Sequence, residues 1–296
     1  MTEPPRLFDR AALKARRRRA AASGERFLLA HVAREMSERL SAVLRQFPLA
    51  IDLATPGEDV AAVLAADPRI RTVVRIEAEP AVLGGQGAAI AAEPDALPLA
   101  EGVADLVVSA LGLSTVDDLP GALVQIRRAL RPDGLFMAAL LGGDTFSELR
   151  DAFAAAEAER EGGISPRVAP FADVRSLGAL LQRAGFALPV ADSDRLTVRY
   201  ADPLALLRDL RAEGLANPLF ARRRTFLRRK TLFRALEIYA ERFADADGRI
   251  RATFEIVWLS GWAPHPGQQQ PLRPGSAKAR LADALGAVEK PLPREE

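Results

Sequence analysis

The sequence predicts an α/β chain built on a doubly wound, mostly parallel sheet, and three observations predict it. Short apolar or β-branched runs alternate with segments of helical spacing, the pattern of right-handed strand–helix–strand crossovers. The run over 135–141 is almost continuously apolar, as expected of a strand covered on both faces. Finally, the segment Ala54-Thr55-Pro56-Gly57-Glu58 follows the first apolar run, where such a sheet binds its ligand, outside the carboxyl ends of the strands.

The elements follow in order. Residues 1–24 form a polar arm containing Arg16-Arg17-Arg18-Arg19, read as a solvated basic segment or as a contact for an acidic partner or anionic surface. Over 25–46, Leu28, Val32, Met36, Leu40, Val43 and Leu44 recur at helical spacing. Strands are expected at 49–53, 71–76, 104–110 and 135–141. Helices are expected at 59–66, around 80–83, and at 119–130, with Gln125, Arg127 and Arg128 on the wet side of the last. Arg131-Pro132-Asp133-Gly134 reads as a turn. Helices over 145–161 and 176–184 end at Gly162 and Gly185, residues that tolerate the left-handed conformation closing a helix. Alternation marks a strand over 195–200, helical spacing covers 204–212 and 219–243, and Ala252, Phe254, Ile256, Trp258 and Trp262 share one face of a last strand. The domain is expected to span 25–263, with a helical insertion at about 203–245 and a Pro- and Gln-rich tail over 264–296.

Composition narrows the chemistry. The chain has 296 residues, enough to bury a large core. With no cysteine and only two histidines, His31 and His265, disulfides, thiolate sites and a His-rich metal site are excluded, and no metal is expected. The net charge is +2, with four lysines among 41 basic residues, and this arginine and alanine richness reads as a matter of genome base composition rather than nucleic-acid binding. No run approaches the roughly 20 apolar residues of a membrane span, and no secretory apolar region follows Met1. The expected location is cytoplasmic, with basic segments suited to peripheral contact with the inner membrane.

The segment Phe47-Pro48-Leu49-Ala50-Ile51-Asp52-Leu53 resembles the first strand of class I S-adenosylmethionine-dependent methyltransferases. Gly142-Gly143-Asp144-Thr145 and Glu159-Arg160-Glu161-Gly162-Gly163, with Ser165-Pro166 and Pro170-Phe171, narrow the resemblance. They are similar to the mitochondrial and α-proteobacterial complex I assembly family, whose member is described as a protein-arginine hydroxylase and which is related to the malonyl-carrier-protein methyltransferases. The resemblance implies a seven-stranded Rossmann-like sheet and S-adenosylmethionine as cofactor. It places Asp52, Ala54, Gly57, Glu77, Glu93 and Ala110 around that cofactor, Glu77 accepting the ribose hydroxyls and Glu93 lying near the adenine amine. Asp144 and Thr145, with Arg222 and Arg228 of the insertion, are the expected contacts to a substrate or partner, here a respiratory complex I subunit. No catalytic residue is assigned.

Two positions depart from the family pattern. Ala54, Pro56 and Glu58 replace loop glycines, removing a backbone donor at Pro56 and bringing an acid toward the methionine carboxylate. Leu113-Ser114-Thr115-Val116 stands where many relatives carry a His-Trp pair. Two functions therefore stay open: a methyltransferase-like enzyme modifying a protein, or a non-catalytic assembly factor that keeps the fold and has weakened or lost the cofactor.

Overall fold

The computed structural model describes residues 6–23, 26–84, 87–269, 276 and 281–287. Two units separate along the chain, Met1–Pro264 and His265–Glu296. The second contains a short helix over Leu281–Leu285. The first opens with α1 (Arg10–Ser23) and α2 (Phe27–Ser41), then runs β1 (Phe47–Leu53), α3 (Asp59–Ala66), β2 (Ile70–Glu77), β3 (Ala88–Ala91), β4 (Ala104–Ala110), α4 (Leu119–Ala129) and β5 (Leu130–Leu141). It continues with α5 (Ser147–Glu161), α6 (Val174–Ala184), β6 (Ala187–Tyr200), α7 (Pro203–Ala212), α8 (Arg229–Phe243) and β7 (Ile250–Trp262). Single 3-10 turns occupy Pro80–Val82 and Gly112–Thr115.

One seven-stranded sheet takes the order β3-β2-β1-β4-β5-β7-β6. The pairings among the first five strands are parallel, while β7 is antiparallel to both β5 and β6. Strand order reverses between β1 and β4, so their carboxyl ends flank the crevice where a doubly wound sheet accommodates a ligand. Two apolar layers sandwich the sheet. On one face Leu28, Val32, Met36 and Leu40 of α2 pack with Phe153 of α5 and Ile238 and Tyr239 of α8. On the other, Leu123 and Ile126 of α4 meet Leu177 and Leu181 of α6. The central strands are buried on both sides, hence their unbroken apolar runs. The edge strand β6 alternates and carries exposed Arg195, a charge that discourages pairing with another chain.

Several elements differ from expectation for identifiable reasons. β3, four mostly exposed residues rich in alanine, gives no apolar signal. β6 begins at Ala187, its exposed edge positions masking the pattern. Gln125 and Arg127 do not simply face water: Gln125 accepts from Leu97 N–H, and Arg127 donates to Ala184 O. The helix expected over 219–243 forms only from Arg229. Before it, Arg222 and Arg223 reach out to Asp9 and Glu161, contacts that a regular helix with stacked like charges would not favour. Nor is the basic arm a solvated segment, since α1 lies on the domain, joined at Phe8 by an isolated bridge to Leu219.

The start of α2 is fixed by a distant acid. Glu213, 5% exposed, accepts the Leu28 N–H through Oε1 at 3.0 Å. Burial pushes its carboxyl up to about 7, against a smaller opposing effect of that N–H. Because the folded-state value lies above the ordinary 4.5, its stabilisation is complete below about 4.5 and is lost as pH rises through 7. Glu213→Gln keeps an acceptor and cannot ionise. Its stability relative to the parent should therefore climb between pH 4.5 and 7.5 by on the order of 2 kcal/mol, read by urea denaturation across that range.

Candidate functional site

The carboxyl ends of β1, β2 and β4 are drawn together by a polar knot. Thr55 donates its hydroxyl to Asp52 Oδ1 and accepts the Ala110 N–H at 3.2 Å, tying the loop after β1 to the end of β4. Asp52 is 1% exposed, with Oδ2 3.4 Å from Arg75 Nε. Burial pushes the Asp52 carboxyl up to about 7, although Thr55 and Arg75 oppose the shift. Arg75, itself buried in β2, donates to Gly57 O at 2.5 Å and to Val82 O at 2.9 Å. Arg26 donates to Pro56 O at 2.7 Å. Two arginines thus occupy carbonyls of a loop that lacks the usual glycines.

The backbone nevertheless takes a glycine-like path. Ala54 has φ 57° and Leu111, just past β4, φ 63°. Both lie in the left-handed region, which costs a non-glycine residue about 1 kcal/mol or more. At Gly112 the close approach is absolute: a Cβ would stand 1.7 Å from Ala54 O. Gly57 is also confined, since a Cβ there would meet the Arg26 guanidinium at 2.3 Å.

Glu77 ends β2 with 1% exposure. Both its oxygens lie 2.6 Å from Arg17 Nη1, and Oε1 also accepts the Glu79 N–H. Arg17 Nη2 reaches Thr115 Oγ1 at 3.5 Å. Further along α1, Arg18 pairs with Glu79 at 2.9 Å and Lys14 with Glu93 at 2.6 Å. Arg10 pairs with Asp95 and stands 3.9 Å from Asp117. Beside α1 lies a small cavity of about 30 Å3, bounded by Leu13, Arg17, Glu93, Gly112 and Thr115.

A larger cavity of about 410 Å3 adjoins it, sharing Leu13 and Thr115. Its walls are chiefly apolar, among them Leu111, Leu141, Phe146, Phe153 and Leu232. Arg167 also lines it, held by the fully buried Glu157.

Of the residues singled out from the sequence, Asp52, Ala54, Gly57, Glu77 and Ala110 converge on the β1–β4 crevice, and Glu93 borders it through Lys14. Asp144 and Thr145 follow β5 instead. Asp144 pairs with Arg195, and the buried Thr145 hydroxyl donates to Glu255 O and accepts its N–H. Arg222 is bound to Asp9 at 2.7 Å, while the exposed Arg228 lies 3.5 Å from Glu161. Sequence reading missed Arg17 and Arg75. Arg75 carried a signal, a lone cation inside the apolar run Val73-Val74-Arg75-Ile76, whereas Arg17 was hidden among its arginine neighbours. Among the described residues, no cluster of His, Asp or Glu could hold a metal ion.

Strand order, the reversed β7 and the acid-bordered crevice define a class I S-adenosylmethionine-dependent methyltransferase fold. A family profile described as a methyltransferase domain matches residues 51–138. The sheet superposes on the YcgJ protein of Bacillus subtilis with a TM-score of 0.54 at 12% identity, covering 79% of this chain and 99% of the other. More particular are the relatives named arginine-hydroxylase NDUFAF5, mitochondrial. The zebrafish (Danio rerio) protein is 36% identical over 87% of this chain and 81% of its own length. The human protein is 36% identical over 90% of this chain and 78% of its own length. The chain belongs to the family of these NDUFAF5 proteins. A malonyl-[acyl-carrier protein] O-methyltransferase of Gallionella capsiferriformans is 37% identical over 60% of this chain and 58% of its own length.

The contact between Gly112 and the Ala54 carbonyl is open to direct test. Gly112→Ala should force the β1 loop away from β4 and lower stability by about 3 kcal/mol in urea denaturation.

Proposed function

We propose that the chain binds S-adenosylmethionine in the β1–β4 crevice and modifies a protein substrate during respiratory complex I assembly. Arginine modification is the finer form of this reading, supported by the name borne by relatives that align over most of the chain. The observation that carries the cofactor assignment is Glu77, a buried carboxylate closing β2 beside a loop whose first residue already adopts the left-handed conformation.

The donor set fits the cofactor. Two carboxylate oxygens on Glu77 suit the two ribose hydroxyls, and Glu93 borders the same crevice. Bound there, S-adenosylmethionine would supply an electrophilic sulfonium methyl. The protein's part is positional: Thr55 and Arg75 hold the loop, and the walls of the 410 Å3 cavity exclude water from apolar parts of a substrate. Such positioning supplies much of the rate in methyl transfer, without a dedicated base.

A second reading, a non-catalytic assembly factor, is favoured by two features. The cofactor loop has Pro56 in place of a donor, and the α1 side chain of Arg17 already lies on both oxygens of Glu77. On either reading the exposed cations of the insertion, Arg228, Arg229 and Lys230, suit peripheral contact with an acidic partner or an anionic membrane face. Among the described residues no helix is long and apolar enough to cross a membrane.

Calorimetric titration of the full chain with S-adenosylmethionine separates the two. Binding at micromolar to tens-of-micromolar concentrations, weakened at least tenfold by Glu77→Gln, is the expected result. No binding, together with co-purification of a complex I subunit, would overturn the cofactor assignment in favour of the assembly factor.

A further inference from the structure

We propose that α1 is a latch that competes with the cofactor for the acidic crevice and couples that crevice to the insertion between β6 and β7. The inference rests on the crevice being the cofactor site. Arg10, Lys14, Arg17 and Arg18 fall along one side of α1 at helical spacing, and each meets an acid of the crevice: Asp95, Glu93, Glu77 and Glu79 in turn. A nucleoside's ribose would need Glu77 as a hydroxyl acceptor. Arg17 already uses both oxygens at 2.6 Å, and its side chain is only 12% exposed. With the Glu79 N–H also on Oε1, one lone pair on Oε2 is left, too few for both ribose hydroxyls while Arg17 stays in place. The cofactor therefore binds a state in which this pair is broken, and its apparent affinity falls in proportion to the population of the latched state.

The other end of α1 is fastened to the insertion. Asp9 caps the helix by accepting the Ala12 N–H at 3.0 Å, and the same carboxylate takes Arg222 at 2.7 Å. These contacts hold the Asp9 carboxyl below its ordinary value, the Ala12 N–H first and Arg222 next. Asp9 N–H donates to Pro218 O, and Phe220 N–H donates to Leu7 O. Leu13, in the first turn of the helix, stands in the wall of both cavities. Movement of α1 would thus open the cofactor crevice and join it to the apolar cavity. A protein that engages the insertion and draws Arg222 from Asp9 loosens the cap of α1, so partner and cofactor favour the same open state.

The test compares the full-length chain with Arg17→Ala and Arg222→Gln, the second lying outside the crevice. S-adenosylmethionine affinity is measured by calorimetry, and limited trypsin cleavage at Arg16–Arg19 is followed with and without the compound. The latch requires at least tenfold tighter binding by Arg17→Ala and a several-fold gain by Arg222→Gln. It also requires faster arm cleavage in the parent chain once S-adenosylmethionine is added. If the parent binds and Arg17→Ala binds no tighter, or the arm becomes more protected with ligand, α1 is a cover for the cofactor and the latch alone is overturned. An unchanged Arg222→Gln overturns the coupling to the insertion. If neither parent nor variants bind, the cofactor assignment and the latch fall together.

Discussion

The buried guanidinium of Arg75 is the constraint around which the ligand end of this sheet is arranged. From the middle of β2 it faces Asp52 on β1, caps the carbonyl of Gly57 in the following loop and holds Val82 O beyond its own strand. A buried cation is tolerable only when its surroundings compensate it closely, and here three segments converge to do so. The loop after β1 consequently has little freedom. Thr55 locks it to the end of β4, and Ala54 and Leu111 carry the left-handed backbone that the turn demands. Loss of the usual glycines has not relaxed the loop's conformation; side chains enforce it instead.

A second electrostatic layer lies on the first. The acids at the mouth of the crevice are paired, because α1 brings a cation to each of Glu77, Glu79, Glu93 and Asp95. Exposed pairs of this kind are individually worth little. The Arg17–Glu77 pair differs, being nearly enclosed, where separation without a replacement donor is costly. Such an arrangement holds a helix firmly against the crevice yet yields to a ligand that satisfies the same oxygens. The larger cavity makes a contrast. Its walls come mostly from apolar positions, and Arg167 among them is already neutralised by Glu157. The two adjoining spaces therefore differ in character, charged side chains on one side of Leu13 and mostly apolar ones on the other.

Much of the frame is legible residue by residue. The helix over 59–66 and the strand over 104–110 fall where spacing and apolar content place them, since burial on both faces writes β4 as an unbroken run. Asp52, Glu77 and the loop at Ala54 were legible as a group because they end consecutive strands. The exposed strands were not: β3 carries only small residues, and half of β6 faces solvent. The insertion misled for a related reason. Its basic and apolar residues repeat at helical spacing, but the cations over 222–224 are drawn to Asp9 and Glu161, so the helix waits until Arg229.

By itself, the sequence determined the alternation of strands and helices, the parallel core, the absence of cysteine chemistry and the acids that border the crevice. These are local properties, set by the period of apolar residues and by which residue ends each strand. Only the tertiary structure decided that Arg17 lies on Glu77, 60 positions away, that Arg75 rather than glycine shapes the loop, and that the basic arm is docked rather than solvated. Long-range charge pairing leaves no periodic trace in a chain: four adjacent arginines are alike until the fold brings buried carboxylates to Arg17 and Arg18.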